Sequence, residues 1–528
     1  MFLKPNVVGE PLINHWYGWS YLIHRATASL LTVHQLRIMK SFVQNPKLHL
    51  AASRNPQLLG DTFLNYEGDP ARIGEIARRT ETGCADMLEL AAALQALREM
   101  LDSHADGHSL ECLYEKVPVP LRGLVELFYE SGNNAAFRFI EPLLFGSRLY
   151  RPDIQAILLS ILPDPDDRAF VLSTPRTQES GSLLLRLPFA DPLVDALFRT
   201  RSQPAPDGLV DALVSRCKLG EEERALLESF FTEAEPARLP AAPAGEEAVR
   251  VRYFGHATVL IEAAGVAVLT DPAIAYDHPD GAERYSYSDL PEKIDYVLLT
   301  HNHQDHVLLE SLLQLRHKIG QIVVPKNSGG TLLDPSLRWI LRAAGFDNVV
   351  ELDEMEDIQL PSGRIVGLPF FGEHGDLQIR SKLGYMVELL GKKITLLADS
   401  NNIEPMMYQH VHDMVGDVDT LFLGMECRGA PTSWIYGPLL AKPLSRSMDQ
   451  SRRLNGSNCA SAISILDQFK PRQTFIYAMG AEPWLKYISS IEPSEESEPV
   501  VESNKLLQHC EDRGIPCRRL WLRDEAYL

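Results

Sequence analysis

Three histidines and an aspartate fall within His301-Asn302-His303-Gln304-Asp305-His306, directly after the apolar run Tyr296-Val297-Leu298-Leu299-Thr300. Imidazole nitrogen and carboxylate oxygen coordinate divalent metals, and such groups, once buried, need a partner or an ion. His301 and His303 are two apart, so on extended backbone they face the same side. Where the chain turns into a helix, Asp305 and His306 swing toward a second ion beside the first. Two later carboxylates join the set. Glu373 lies in Gly372-Glu373-His374-Gly375-Asp376, after a strand ending at Leu368, and Asp399 closes the apolar strand Ile394-Thr395-Leu396-Leu397-Ala398. Alone, each reads as a turn residue; with the histidine cluster they form a mixed nitrogen and oxygen shell. That shell suits iron or manganese, and zinc accepts it as well.

The elements that must position these groups lie mostly beyond residue 248. Val249 to Tyr253, Ala257 to Glu262 and Val266 to Thr270 read as consecutive strands. Further strands are expected at 296–300, 321–324, 365–368, 385–390, 394–397 and 420–424, with helices at 307–317 and 458–469. Many strands with interposed helices indicate two packed sheets covered by helices. The Ala-, Pro- and Glu-rich stretch 233–247 cannot build a packed face and reads as a linker. It divides a mostly helical N-terminal domain, 1–232, from a catalytic domain, 248–528. In the former, Met87, Leu90, Leu94, Leu97 and Leu101 mark one helix face. Leu121 to Tyr129 reads as a second helix, and Leu183 to Leu187 as a possible strand. The crowded Trp16, Tyr17, Trp19 and Tyr21 read as core or dimer-contact residues.

The 528 residues exceed one ordinary core, and the formal charge of −20 (51 basic less 71 acidic residues) disfavours nucleic-acid binding. No apolar run is long enough to span a bilayer, and the N-terminus lacks the apolar core of a signal peptide, so a cytoplasmic protein is expected. Seven scattered cysteines without a Cys-x-x-Cys pair argue against a disulfide framework or a thiolate zinc site.

The run Tyr253-Phe254-Gly255-His256-Ala257-Thr258, the turn Leu269-Thr270-Asp271-Pro272, the His-x-His-x-Asp-His cluster and the late Asp399 together resemble the metallo-β-lactamase superfamily, from Val249 to about Tyr477. The resemblance implies an αββα sandwich with a dinuclear site at one edge. It implies that Asp271 orients ligands from behind, as His256 would, and that Asp399 bridges the metals. Two departures stand out. Glu373 occupies the place where hydrolases of this superfamily carry a third histidine, with His374 the competing ligand. The late histidine expected near Phe475 to Gly480 is missing; His410, His412 and His509 fit it poorly.

Over its whole length the chain resembles the diiron β-hydroxylases of nonribosomal peptide pathways, chloramphenicol biosynthesis among them. The shared features are a helical N-terminal half, a metallo-β-lactamase-like C-terminal half, and Glu373 in place of the usual histidine. That resemblance implies an O2-dependent non-haem diiron monooxygenase. It would hydroxylate the β-carbon of an amino acid, L-p-aminophenylalanine in the chloramphenicol case, held as a thioester on a carrier domain. His301, His303 and Glu373 would hold one iron, Asp305 and His306 the other, with Asp399 between. The electrons would come from a separate reductase, since the chain has no flavin or nicotinamide fingerprint. Glu426, after the strand at 420–424, would act at or behind the site, or is a plain hydrogen-bonded carboxylate. Arg446, Arg452 and Arg453, in an expected loop, would dock an acidic carrier, or are solvated charges. Trp434, Tyr436 and Trp484 could wall an aromatic pocket or lie in the core. The N-terminal domain would serve dimerisation or carrier recognition. The rival reading is a zinc hydrolase of a thioester, lactone or phosphodiester.

Overall fold

Two seven-stranded sheets face each other across the C-terminal half. The computed structural model describes all residues except 56–57, 59–61, 105, 163, 165–167, 240–247 and 491–493. The first sheet runs in the order Val349–Leu352, Ile319–Pro325, Ile294–Leu298, Val266–Thr270, Thr258–Ala263, Arg250–Gly255, Asp524–Tyr527. The second runs Asp357–Leu360, Gly363–Leu368, Gly384–Leu389, Lys392–Leu396, Thr420–Gly424, Gln473–Tyr477, Cys517–Arg519. Strand Ile294–Leu298 has parallel neighbours on both sides and helices over its outer face. A parallel strand covered on both faces needs an unbroken apolar run, which Val297-Leu298-Leu299 supplies.

Val251, Val259 and Ile261 of the first sheet meet Ile365, Tyr385, Val387 and Ile394 of the second in one buried layer. Helices Pro405–Val415, Cys459–Phe469 and Glu498–Asp512 cover the outer face of the second sheet through Tyr408, Val411, Ile465, Phe469 and Leu506. The layering is that of an αββα sandwich.

The N-terminal half supplies much of what covers the first sheet. Leu269, Val297 and Ile322 share one continuous core with Leu309 and Leu312, and with Trp19, Tyr21 and Phe198 from the N-terminal half. That half is built on helices Arg25–Gln44, Pro70–Gly83 and Ala85–His104, the last burying the apolar stripe from Met87 to Leu101. Beside them stands a four-stranded sheet ordered Trp16–Tyr17, Val7–Ile13, Gln155–Ile161, Ser182–Leu185. The aromatics from Trp16 to Tyr21 are buried in these cores. One expectation fails. Leu121 to Tyr129 is not a helix, because Val125–Tyr129 is a strand paired with Ala135–Phe139 around the turn at Gly132-Asn133. Val125 and Leu127 are buried and Glu126 between them is exposed, the period of a pleated strand. Residues 240–247 of the expected linker lie outside the described residues. Before them, Leu239 N–H donates to Asp289 Oδ1 at 2.8 Å, and Ser288 donates to the Ala237 carbonyl at 2.7 Å. All seven cysteines are free thiols, and no described helix is long and apolar enough to cross a membrane.

A buried ionic cluster pins the halves together. Arg168 donates to Glu10 at 2.7 Å and to Glu310 at 2.8 Å; Glu310 also accepts from Tyr17 at 2.8 Å and Tyr276 at 2.6 Å. Burial pushes the Glu10 carboxyl up, but Arg176 and Arg168 outweigh it and hold it down at about 2. Glu310 sits on helix Leu309–Leu315, which follows the histidine cluster, so this junction also anchors the site. Arg168→Leu leaves two buried carboxylates facing each other with one cation fewer. We expect a loss of about 3–5 kcal/mol, read as a lowered denaturant midpoint with unchanged slope.

Candidate metal centre

The proposed ligands converge because six strands end at the same edge of the sandwich. Asp271 follows Val266–Thr270, His301 follows Ile294–Leu298, and Glu373 follows Gly363–Leu368. Asp399, Glu426 and Ala478 follow Lys392–Leu396, Thr420–Gly424 and Gln473–Tyr477. Backbone in the left-handed region is rare outside glycine, yet His256, Asp271, Glu373, Ala398, Cys427 and Ala478 all adopt it, with φ between 33° and 68°. Strain of this kind gathers where function over-determines the chain. Two glycines make the turns possible. A Cβ on Gly372 (φ 86°) would lie 2.7 Å from the Asn401 Cβ, and one on Gly424 would lie 2.1 Å from the Ala398 carbonyl oxygen. The first aims Glu373 inward; the second lets the strand of Glu426 press against Asp399.

Asp271 organises the histidines from behind. Its carboxylate accepts from Thr300 N–H at 2.8 Å and Thr300 Oγ1 at 2.5 Å, and faces His306 Nδ1 at 2.8 Å. His306 Nε2 is thereby turned to Asp399 Oδ2, 2.9 Å away. His301 Nε2 lies 3.6 Å from the same oxygen and 3.1 Å from His303 Nδ1. His303 Nδ1 lies 3.1 Å from Glu373 Oε1. Three overlapping donor groups result: His301, His303 and Glu373; His301, His306 and Asp399; and His256, Asp305 and His306. Asp305 Oδ2 stands 3.4 Å from His256 Nε2 and 3.9 Å from His306 Nε2. His256, expected only to support ligands, thus lies within ligand reach of the second position. Glu426 closes a fourth group with Glu373 and Asp399.

The donor set fits a pair of metal ions. Glu373 Oε2 and Asp399 Oδ1 are buried without a hydrogen-bond partner, as is His256 Nδ1. Such atoms carry a desolvation cost that coordination offsets. Burial pushes His301 far down and His303 down to about 4, so both are neutral imidazoles at pH 7, the form that binds metal. Burial opposes charge on His306 too, but Asp399, Asp305 and Asp271 raise it well above the ordinary histidine value. Burial, Asp399 and Asp305 push Glu373 up; burial, Glu373 and Asp399 push Glu426 up.

His374 turns away from the cluster. Its Nδ1 lies 2.8 Å from the Tyr436 hydroxyl, which is also 3.0 Å from His303 Nε2. Sequence alone left Tyr436 as wall or core; it is a buried prop under two histidines. Three further props were not foreseen. Ser20 Oγ donates to Asn302 Oδ1 at 2.5 Å, reaching the cluster from the N-terminal half. Lys382 Nζ donates to the Gly372 carbonyl at 3.0 Å, and Tyr385 to that of Leu299 at 2.8 Å. Lone residues such as these carry no spacing signal. Trp434 is half-buried and lines the space over the ligands with Leu172, Ile435 and Ile488, whereas Trp484 is core.

The expected docking arginines part company. Arg446 is exposed, but it begins a short helix, Arg446–Ser451, rather than lying in a loop. Arg453 is half-buried beside Gln450. Arg452 Nε donates to the Gly375 carbonyl at 2.7 Å, so it braces the Glu373 turn instead of standing free. His410 is exposed, His412 pairs with Asp417 at 2.7 Å, and His509 is partly exposed on the helix Glu498–Asp512.

Raised carboxylates make the metal-free protein less stable as pH rises. A group whose folded pKa exceeds its unfolded value stabilises the fold only while protonated there. Above about pH 7 the depressed histidines are neutral in both states, so the raised groups, Glu373, Glu426 and His306, govern the slope. We expect the melting temperature of the metal-free protein to fall from pH 7 to about 8.5. Glu426→Gln should flatten that fall, and metal loading should abolish it.

Comparison with known proteins places this geometry in context. Residues 2–236 match the family model described as the diiron non-heme beta-hydroxylase N-terminal domain, and residues 250–425 match the beta-lactamase superfamily domain. The chain is 40% identical to the 4-amino-L-phenylalanyl-[CmlP-peptidyl-carrier-protein] 3-hydroxylase of Streptomyces venezuelae, across 99% of this chain and 98% of that one. The crystal structure of CmlA, a diiron beta-hydroxylase from the same organism, superposes with a TM-score of 0.93 at 40% identity, covering 100% and 99% of the two chains. A UPF0173 protein of Pyrococcus abyssi is 29% identical over 153 residues, 29% of this chain and 60% of its own length.

Proposed function

This chain belongs to the diiron non-haem β-hydroxylases, and from that premise we propose that it hydroxylates the β-carbon of L-p-aminophenylalanine carried as a thioester on a peptidyl carrier domain. The support for this substrate is the full-length identity to a hydroxylase whose name specifies the aminophenylalanyl group and its carrier. The observation that carries the reading is Glu373. It stands 3.1 Å from His303 Nδ1 in the place of the hydrolases' third histidine and makes the shell rich in carboxylate. The zinc hydrolase reading rests on the fold alone, and fold does not decide chemistry.

In this reading His301, His303 and Glu373 would hold one iron, Asp305 and His306 the other, and Asp399 would stand within reach of both groups. When bound, the iron pair would activate oxygen using electrons delivered from an external donor. The chain does the rest. Asp271 fixes the His306 tautomer, and Tyr436 holds His303 by its outer nitrogen. Leu172, Trp434, Ile435 and Ile488 give the space over the site one apolar wall, opposite the carboxylates and histidines. Glu426, raised by burial and by Glu373 and Asp399, is suited to hold a proton beside the ligands.

The reading further assigns the protein to the cytoplasm and makes it a homodimer served by a separate reductase. A single turnover tests substrate and electron source together. Chemically reduced, iron-loaded protein, mixed with oxygen and carrier-bound L-p-aminophenylalanine, should add the mass of one oxygen atom at the β-carbon. The resting protein with no reductant should add none. Hydroxylation without any reductant would remove the external donor, and failure of the reduced protein would remove the substrate.

A further inference from the structure

Helices Arg25–Gln44 and Ala85–His104 and the segment from Ser433 to Leu444 enclose a groove of about 690 Å3. Leu88 and Ala92 form one wall, Pro438 and Leu444 another, and His34 and Arg37 bring polar groups to it. The free space directly over the ligand cluster is far smaller, about 60 Å3. Trp434 lines both spaces. It is half-buried, its ring in a T-shaped contact with Phe170 at 6.4 Å between centroids.

Small-molecule clefts typically hold about 300–1,000 Å3, so the groove has the size of a ligand site and the space over the cluster does not. Trp434 is common to both spaces, so an aromatic amino acid placed at the cluster can send its tether past this ring into the larger groove. The tether of a carrier domain is a flexible chain of amides and methylenes ending in a phosphodiester. The groove matches that sequence of chemistry: mostly apolar walls, a few polar groups, and a guanidinium. Arg37 is exposed, with Nη2 3.1 Å from His34 Nδ1, and guanidinium is the preferred partner of phosphate oxygens. In a chain of net charge −20, a cation placed there gives an anionic tether a local point of attraction.

We infer that this groove receives the phosphopantetheine arm of the carrier, its thioester end beside Trp434 and its phosphate toward Arg37. The inference rests on the carrier-bound substrate of the preceding section. It assigns arm recognition to the N-terminal helices and to the segment before Arg446, not to Arg452 or Arg453.

The test uses the iron-loaded full chain and a carrier domain bearing amide-linked L-p-aminophenylalanyl pantetheine with a photoreactive diazirine on the arm. Crosslinks should fall within residues 30–37, 88–95 and 433–444. In parallel, Ala92→Trp fills the groove from an exposed helix position, and Arg37→Glu reverses the cation at the surface. Each should raise KM for the thioester-loaded carrier about tenfold or more, with iron content and kcat little changed. Crosslinks mapping elsewhere, or both variants keeping the wild-type KM, would overturn the groove while leaving the hydroxylase reading intact. A dimer that dissociates in Ala92→Trp with KM unchanged would make the groove an interface between copies, which also overturns the inference. If wild-type protein does not hydroxylate the thioester-loaded carrier at all, the hydroxylase reading fails first and the groove with it.

Discussion

Carboxylates crowded together at a largely buried site repel one another, and the sheet edge is built around that constraint. Glu373, Asp399 and Glu426 bring ligand atoms within 4.8 Å of each other, and Asp305 stands close by. Among the described residues no lysine or arginine pairs with them; Lys382 donates its ammonium to the Gly372 carbonyl. His301 and His303, held neutral by burial, add no charge, and His306 is one cation against four carboxylates. Two divalent ions can balance that charge. The left-handed turns, the two crowded glycines and the Asp271 cradle are the backbone's part in holding donors at that spacing before any ion arrives. A site assembled in advance loses less on binding and keeps its geometry through a reaction.

The N-terminal half belongs to this machinery as much as to any partner surface. Ser20 touches Asn302 inside the cluster, Tyr17 and Arg168 grip the helix that follows it, and Tyr21 packs edge-on to Tyr436 at 6.2 Å. Tyr436 in turn holds His303 and His374. Contacts of this kind explain why one apolar core runs through both halves. They also connect the groove beside Trp434 to the metal centre through a single short helix, Thr432–Tyr436.

What could be read from the sequence follows from what is local. The sandwich was legible because each strand carries its own apolar run and turn, and the parallel strand before His301 is apolar on both faces. The His-x-His-x-Asp-His spacing exposed its chemistry because the donors sit on one turn of chain. The sequence names Glu373 without separating it from His374; in the structure Glu373 Oε1 meets His303 Nδ1 at 3.1 Å while His374 Nδ1 meets the Tyr436 hydroxyl at 2.8 Å. The strand Val125–Tyr129 was mistaken for a helix because five residues cannot distinguish a period of two from one of 3.6 when aromatics follow. Ser20, Lys382 and the brace from Arg452 were illegible for another reason. Their partners are 282, 10 and 77 residues away in sequence, and a lone polar residue gives no sign of where its partner will be.

The family's two irons are proposed to sit among three imidazoles and a surplus of carboxylate. The direct measurement is metal content with Mössbauer spectroscopy on protein loaded anaerobically with isotopically enriched iron, then oxidised. The account predicts two irons per chain, magnetically coupled into a diamagnetic diferric pair, with a loss of coupling in Asp399→Ala. One iron per chain, or two that remain uncoupled in the wild type, would contradict it.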